Sequence, residues 1–215
     1  PYVAGVFEPL MQAHPEEVWI GLWETNRGCP YGCSYCEWGG EYHKKLCTHS
    51  LEKLAGDIDW FGKKGIEFIF CCDSNFGTLD RDLEIAKMVA ESKSKYRYPR
   101  ALSVQNTKNS TIKSYEIQRV LEKEGLSKGV NLAPQSLNPR TLVAIRRNNI
   151  SNETFHELQQ KFTKEGIETF SDIILGLPEE TYETFVYGVE TLIDRGQHNR
   201  IQFNNLSILP NAPII

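Results

Sequence analysis

Three cysteines, Cys29, Cys33 and Cys36, stand in the spacing CxxxCxxC within the run Asn26-Arg27-Gly28-Cys29-Pro30-Tyr31-Gly32-Cys33-Ser34-Tyr35-Cys36-Glu37-Trp38-Gly39. Iron–sulfur clusters ordinarily take four thiolates, so a triad leaves one iron of a cubane without a protein ligand and open to a small molecule. A structural zinc site instead closes its tetrahedron with a fourth Cys or His, and His43, Cys47 and His49 lie close enough downstream to serve. Those partners lack the compact CxxC repeat or HxxxH spacing of zinc modules, which favours the open cluster. A disulfide with one spare thiol is disfavoured, since nothing else in the chain points to export.

The elements that must carry such a centre fit within one domain: 215 residues, 40% hydrophobic and 24% charged, describe an ordinary globular chain able to bury a core. No apolar run approaches the ~20 residues needed to span a bilayer. The first fifteen residues include Glu8, Pro9, Gln12 and Pro15 and lack the basic start and apolar centre of a signal peptide. A reducing cytoplasm is therefore expected, where six cysteines favour metal binding or catalysis, with Cys47, Cys71 and Cys72 as small apolar fillers. A net charge of −4 argues against nucleic-acid binding. The short basic stretch at 93–100 reads as a solvated helix end.

Short apolar runs alternate with amphipathic ones, which is the pattern of βα units around a parallel sheet. Strands are predicted at 18–23, 68–72, 102–105, 129–133, 169–175 and 200–209. Between them, Leu51, Leu54, Ile58 and Phe61 recur at helical spacing, as do Leu83, Ala86 and Val89, then Phe155, Leu158 and Phe162, and finally Tyr182, Phe185, Val189 and Leu192. Asn138 before Pro139 marks a helix start, while Gly125 and Gly166 mark helix ends. A complete eight-stranded barrel takes about 250 residues. Six βα units therefore predict an α/β fold, a partial (β/α)6 TIM-like barrel with a parallel sheet, open at one side.

In such architectures the working residues gather where the strands end. The cysteines follow the first predicted strand, Asp73, Ser74 and Asn75 the second, and Gln105, Lys108 and Asn109 the third. Gln135 and Ser136 follow the fourth, with Arg146 and Arg147 one helix later, and 176–180 follow the fifth.

The cysteine motif, with the aromatic Tyr35 directly before its third member, resembles that of the radical S-adenosylmethionine (radical SAM) enzymes, and the likeness runs from about residue 19 onward. The resemblance implies that Cys29, Cys33 and Cys36 hold a 4Fe-4S cluster whose fourth iron binds the amino and carboxylate groups of S-adenosylmethionine (SAM). Reductive cleavage would then give a 5'-deoxyadenosyl radical that abstracts hydrogen from substrate, the hard chemistry belonging to the cofactor. It implies that Tyr35 lies near adenine and that Asp73, Ser74 and Asn75 take the place of the family's Gly-Gly-Glu segment at the methionine amine, without its glycine-rich backbone. Gln135 and Ser136 would face the ribose. Arg147 would pair with the methionine carboxylate, with Arg146 as the neighbouring candidate, and Ile174 and Gly176 would pack on adenine. For four of these sites a plainer role stays open: Asp73 and Ser136 as turn caps, Arg147 in a surface pair with Glu153, and Gly176-Leu177-Pro178 as a helix lead-in. Trp38 either shelters the cluster or simply packs.

A narrower resemblance rests on Pro1-Tyr2-Val3-Ala4-Gly5-Val6-Phe7, Glu24-Thr25-Asn26-Arg27-Gly28-Cys29, Glu37-Trp38-Gly39, Asp73-Ser74-Asn75-Phe76-Gly77 and Arg146-Arg147-Asn148-Asn149. These are similar to radical SAM proteins that carry a cobalamin-binding domain before the barrel and often transfer methyl groups. The expectation is a connector at 1–17 and a radical SAM core at 18–215, a fragment of a longer protein, with cobalamin held by a domain not in this chain. A reductant such as flavodoxin or ferredoxin and a small-molecule or peptide substrate are the implied partners. The alternatives are a tRNA methylthiotransferase-like radical SAM enzyme and a non-catalytic zinc-stabilised binding module.

Overall fold

The computed structural model describes residues 1–38, 44–107, 109 and 112–214. Within them the chain runs α1 (Glu8–Ala13), β1 (Ile20–Trp23), β2 (Asn26–Arg27), β3 (Cys47–Thr48), α2 (Leu51–Lys64), β4 (Phe68–Cys71), α3 (Asp82–Tyr96), β5 (Ala101–Ser103), α4 (Ile112–Lys123), β6 (Val130–Asn131), α5 (Pro139–Ala144), α6 (Asn152–Lys164), β7 (Thr169–Leu175), α7 (Tyr182–Asp194) and β8 (Arg200–Asn205). All six predicted strands are present and parallel to their neighbours.

They do not form one continuous sheet. β1, β4 and β5 pair in that order, with Trp23 opposite Cys71 and Phe70 opposite Ser103, and β6, β7 and β8 form a second parallel set. Among the described residues no ladder joins β5 to β6, so the partial barrel consists of two half-sheets meeting at a seam. The seam follows from the residues around β6. Gly129 precedes it at φ +89° and Pro134, which has no N–H, follows it, so the regular ladder is limited to Val130 and Asn131, with a single further bridge at Gln135. β8 stops at Asn205, short of the predicted 209, because its partner β7 turns away at Gly176, where φ is +87°. The β2–β3 ribbon was not predicted, since its four residues are polar or small and show no alternation.

The helical stripes pack as their spacing requires. Leu54, Ile58 and Phe61 of α2 meet Ile85 and Val89 of α3 beneath β1 and β4, and Phe61, fully buried, contributes about 2 kcal/mol of apolar transfer. On the other half, Phe155, Leu158 and Phe162 of α6 and Leu192 of α7 cover β6 and β7. Tyr182, counted in that last stripe from sequence, is instead 78% exposed. Asn138 caps α5 by accepting from the Arg140 N–H at 3.1 Å, as its Asn-Pro pair predicts. The N-terminal segment lies on α2: Tyr2 stacks edgewise on Phe61 and its hydroxyl donates to the Leu22 carbonyl. No helix of the described residues is long and apolar enough to cross a membrane.

Candidate active site

The three cysteines sit on the loop between β2 and β3, and that ribbon closes the loop at its base through the pairs Asn26 with Thr48 and Arg27 with Cys47. Arg81 clamps the ribbon from α3's edge, donating to the carbonyls of His49 at 2.5 Å and Thr25 at 3.2 Å. Cys29 and Cys33 are buried and Cys36 is partly open. Gly28 enters the loop at φ +117°, a conformation that costs a residue with a Cβ.

Asp73, at the exit of β4, is fully buried and holds the loop's start. One carboxylate oxygen accepts from the backbone N–H of Thr25 at 2.7 Å and of Asn26 at 3.2 Å; the other accepts from the Thr25 hydroxyl and from Asn26 Nδ2 at 2.7 Å. Burial nevertheless pushes its pKa up, the four donors only partly opposing that. Burial also drives the thiol of the neighbouring Cys71 well above its ordinary range, as befits a strand residue rather than a ligand. Next in line, Ser74 donates to the Gly28 carbonyl at 2.6 Å and Asn75 Nδ2 to Cys29 Sγ at 3.2 Å. The whole Asp73-Ser74-Asn75 segment thus grips the cysteine loop.

The opposite grip comes from the second half-sheet. Ser34 donates its N–H to the Ile145 carbonyl at the end of α5 at 2.9 Å. Arg147 is 4% exposed, which excludes the surface pair with Glu153. Its guanidinium donates to Tyr35 Oη at 3.0 Å, to Asn149 Oδ1 at 2.7 Å, to the Pro134 carbonyl at 3.2 Å and to the Ala133 carbonyl, and it reaches Cys33 Sγ at 3.9 Å. Among the described residues no carboxylate pairs with it. Arg146, at φ +51°, is exposed and lines a small cavity with Tyr31, Cys33 and Arg147. Burial raises the Tyr35 phenol, which Arg147 partly offsets, and the ring packs with Ile174, Ile145 and Leu177.

The remaining predicted residues line the same rim. Gln135 sits at φ +67° and bridges to β7, donating its N–H to the Asp172 carbonyl at 3.0 Å and accepting from Ile174 N at 2.9 Å. Ser136 donates to Glu180 and accepts from the Asn138 N–H at 3.1 Å, so it does cap a turn. Gly176 lies open beside Leu206. Trp38 is 47% exposed. Gly39, His43 and Lys108 lie outside the described residues. Asn149, which fixes Arg147 and also donates to the carbonyls of Pro134 and Ser136 at 3.0 Å, was read from sequence only as part of a motif. Thr25 was likewise missed as the partner of Asp73.

The donor set fits an open iron–sulfur cluster. N–H groups from Asn75 and Arg147 point at Cys29 and Cys33, as thiolate charge requires, and such contacts tune clusters. Cys47 is exposed on β3, opposite Arg27. Among the described residues no three Cys, His, Asp or Glu side chains converge as ligands of a single ion.

Comparison with known proteins agrees. The profile of the radical SAM superfamily matches residues 23–192. The whole chain aligns at 39% identity with 32% of the cobalamin-dependent radical SAM methyltransferase TokK of Streptomyces tokunonensis. It aligns at 38% with 32% of the 2-(S-pantetheinyl)-carbapenam-3-carboxylate methyltransferase of Streptantibioticus cattleyicolor. It therefore spans about a third of the length of these relatives. Among solved structures, the radical SAM methyltransferase TsrM of Kitasatospora setae superposes on 92% of this chain, and 38% of its own, with a TM-score of 0.75 at 20% identity, a likeness of fold.

Proposed function

The chain belongs to the radical SAM superfamily, and on that premise we propose that it is the core of a cobalamin-dependent methyltransferase acting on a small-molecule or peptide substrate. Cys29, Cys33 and Cys36 would hold a 4Fe-4S cluster, which together with bound SAM supplies reductive cleavage to a carbon radical. A domain outside this chain would hold cobalamin, residues 1–17 would connect to it, and an external reductant such as flavodoxin or ferredoxin would deliver the electron. The names of the relatives support methyl transfer over tRNA methylthiolation, and the match to the radical SAM family speaks against the zinc module.

The observation that carries the reading is Arg147: a buried cation that pairs with no carboxylate among the described residues, set between Cys33 and Tyr35. A buried charge is tolerated only when compensated. Thiolates, a cluster and the carboxylate of SAM would supply that compensation, the guanidinium fork being suited to a carboxylate. Around it, Tyr35 and Ile174 form an apolar wall for adenine, Gly176 allows close backbone approach, and Gln135 and Ser136 stand at the ribose side. Asp73 positions the loop, and with its carboxylate occupied the methionine amine would fall beside Ser74, which is half-buried.

The test is anaerobic reconstitution with iron and sulfide, followed by counting both and scoring 5'-deoxyadenosine from SAM after reduction. About four irons and four sulfides are expected. Cys29→Ala, Cys33→Ala and Cys36→Ala should each abolish SAM cleavage, and Cys47→Ala should not. Stoichiometric zinc without iron in protein purified free of oxygen would sink the proposal.

A further inference from the structure

Where β4 ends, the side chains of Ser74 and Asn75 close a hydrogen-bonded ring on the first cysteine. Ser74 Oγ donates to the Gly28 carbonyl at 2.6 Å. With its only hydrogen committed there, the hydroxyl meets Asn75 as an acceptor, and Asn75 Nδ2 donates to it at 3.1 Å. That contact fixes which end of the amide faces the loop. It is the nitrogen, and its other hydrogen goes to Cys29 Sγ at 3.2 Å. The peptide bond from Gly28 to Cys29 completes the ring. A reversed amide would set Oδ1 against both the sulfur and the Ser74 oxygen, acceptor facing acceptor. Asn75 is 4% and Cys29 1% exposed, so bulk water does not compete for the contact. In such surroundings a hydrogen bond to a charged sulfur is stronger than at the surface. Reduction of a 4Fe-4S cluster adds one electron, and so one negative charge shared with its thiolates. An N–H held on a thiolate therefore favours the reduced state.

We infer that Asn75 eases the one-electron reduction of the cluster through its contact with Cys29, and that Ser74 is a positioning residue that acts only through the Asn75 amide. The electron comes from the external reductant, and no covalent bond of the protein forms or breaks. The inference rests on the reading of Cys29, Cys33 and Cys36 as the ligands of a 4Fe-4S cluster.

The test is an anaerobic redox titration of reconstituted protein without SAM, with the reduced cluster counted by electron paramagnetic resonance. Asn75→Leu fills nearly the same volume without a donor. Its equilibrium constant for reduction should fall about tenfold, as a lost hydrogen bond to a charged acceptor warrants, a shift of about 59 mV for one electron. Ser74→Ala, which frees the amide to turn, should lower the constant about threefold, and Ser74→Thr, which keeps the hydroxyl, should restore it. In Ser74→Ala/Asn75→Leu the fall should equal that of Asn75→Leu alone, since Ser74 has no other route to the sulfur, whereas a merely structural serine would add its own effect. A change of less than about twofold in Asn75→Leu, a shift to easier reduction, or additive effects in the double variant would overturn the inference. If Asn75→Leu alone holds no cluster, Ser74→Ala against Ser74→Thr decides, and equal potentials there overturn it. Loss of the cluster in both Asn75→Leu and Ser74→Ala would do the same, leaving the ring only a holder of the loop. Iron and sulfide counts on the wild type report separately on the proposed function: no cluster there rejects that function, while about four irons with unmoved potentials in the variants reject the role of Asn75 alone.

Discussion

Replacing Asp73 by alanine tests whether the first half-sheet holds the cysteine loop. Four donors lose their acceptor at once: the backbone N–H groups of Thr25 and Asn26, the Thr25 hydroxyl and Asn26 Nδ2. Water cannot replace it, because Thr25 is 0% and Asn26 3% exposed. At about 1 kcal/mol for each orphaned donor the loss is about 4 kcal/mol. Deleting a carboxylate whose pKa burial has raised offsets part of that. The remainder is still a large share of the roughly 5–15 kcal/mol that keep a domain folded. Guanidinium unfolding of the cluster-free protein, followed by circular dichroism, measures it as a fall in midpoint at constant slope. Because the loop is released, Cys29 and Cys33, now 1% and 4% exposed, should react with a thiol reagent at least about tenfold faster. The pH dependence has a defined sign. Burial raises Asp73 and Asp82 in the folded state above the unfolded value of about 3.9, so their contribution is complete below that pH and declines as pH rises through the folded pKa. Asp73→Asn should therefore lose less stability than wild type between about pH 4 and pH 7. A fall of less than about 1 kcal/mol in Asp73→Ala, with thiol reactivity unchanged, would refute the clamp.

Arg147→Ala should weaken SAM binding by about 1.5–3 kcal/mol in equilibrium dialysis, the worth of charge-assisted hydrogen bonds, with Arg147→Lys in between; unchanged affinity would reassign the guanidinium to holding the loop alone. Gln197→Ala should destabilise the protein by about 2–3 kcal/mol, since it strips the Thr169 and Arg200 carbonyls, Gln159 and Ser171 of buried partners, yet leave SAM cleavage per folded molecule intact. Gly62→Ala sets two effects against each other: helix propensity favours alanine by about 1 kcal/mol, but its Cβ would stand 2.3 Å from Tyr96 Cδ2 and 2.6 Å from Ser92 Oγ. Overpacking of that kind costs about 1–3 kcal/mol, so a lower melting temperature is expected.

Much of this could be read from sequence because it is encoded locally. The cysteine spacing, the stripes from Leu54 to Phe61 and from Phe155 to Phe162, and the Asn138-Pro139 start are each set by neighbours a few residues apart. Strand exits could be placed once the strands were, which brought Asp73, Gln135 and Gly176 to one rim. What could not be read are contacts whose partners lie far away in the chain and whose residues have other common uses. Asp73 finds Thr25 across 48 positions, and an aspartate after a strand is as readily a turn cap. Arg147 is buried by carbonyls of the β6 exit, and no periodicity distinguishes it from exposed Arg146 beside it. The seam was hidden for a related reason: 129–133 has the apolar character of a strand, but the conformations of Gly129 and Pro134 limit how much of it can pair.

That seam makes the cysteine loop more than a holder of ligands. With no ladder between β5 and β6, the loop is bound to the first half-sheet through Asp73 and Asn75 and to the second through Ile145 and Arg147, while Tyr31 reaches Thr107, just beyond β5, at 3.3 Å. Anything that binds Cys29 and Cys33 together therefore ties the halves together. A ligand that binds only the folded arrangement stabilises it by mass action, and the stabilisation should be shared by both sets of strands. Hydrogen exchange on cluster-free and reconstituted protein should show slower amide exchange in β4 and β7 alike, with the Leu102 N–H, which donates to the Leu126 carbonyl near the seam, among the amides affected. Protection confined to residues 26–38 would mean that the half-sheets hold their arrangement without the loop, and that the seam is stabilised by the helices alone.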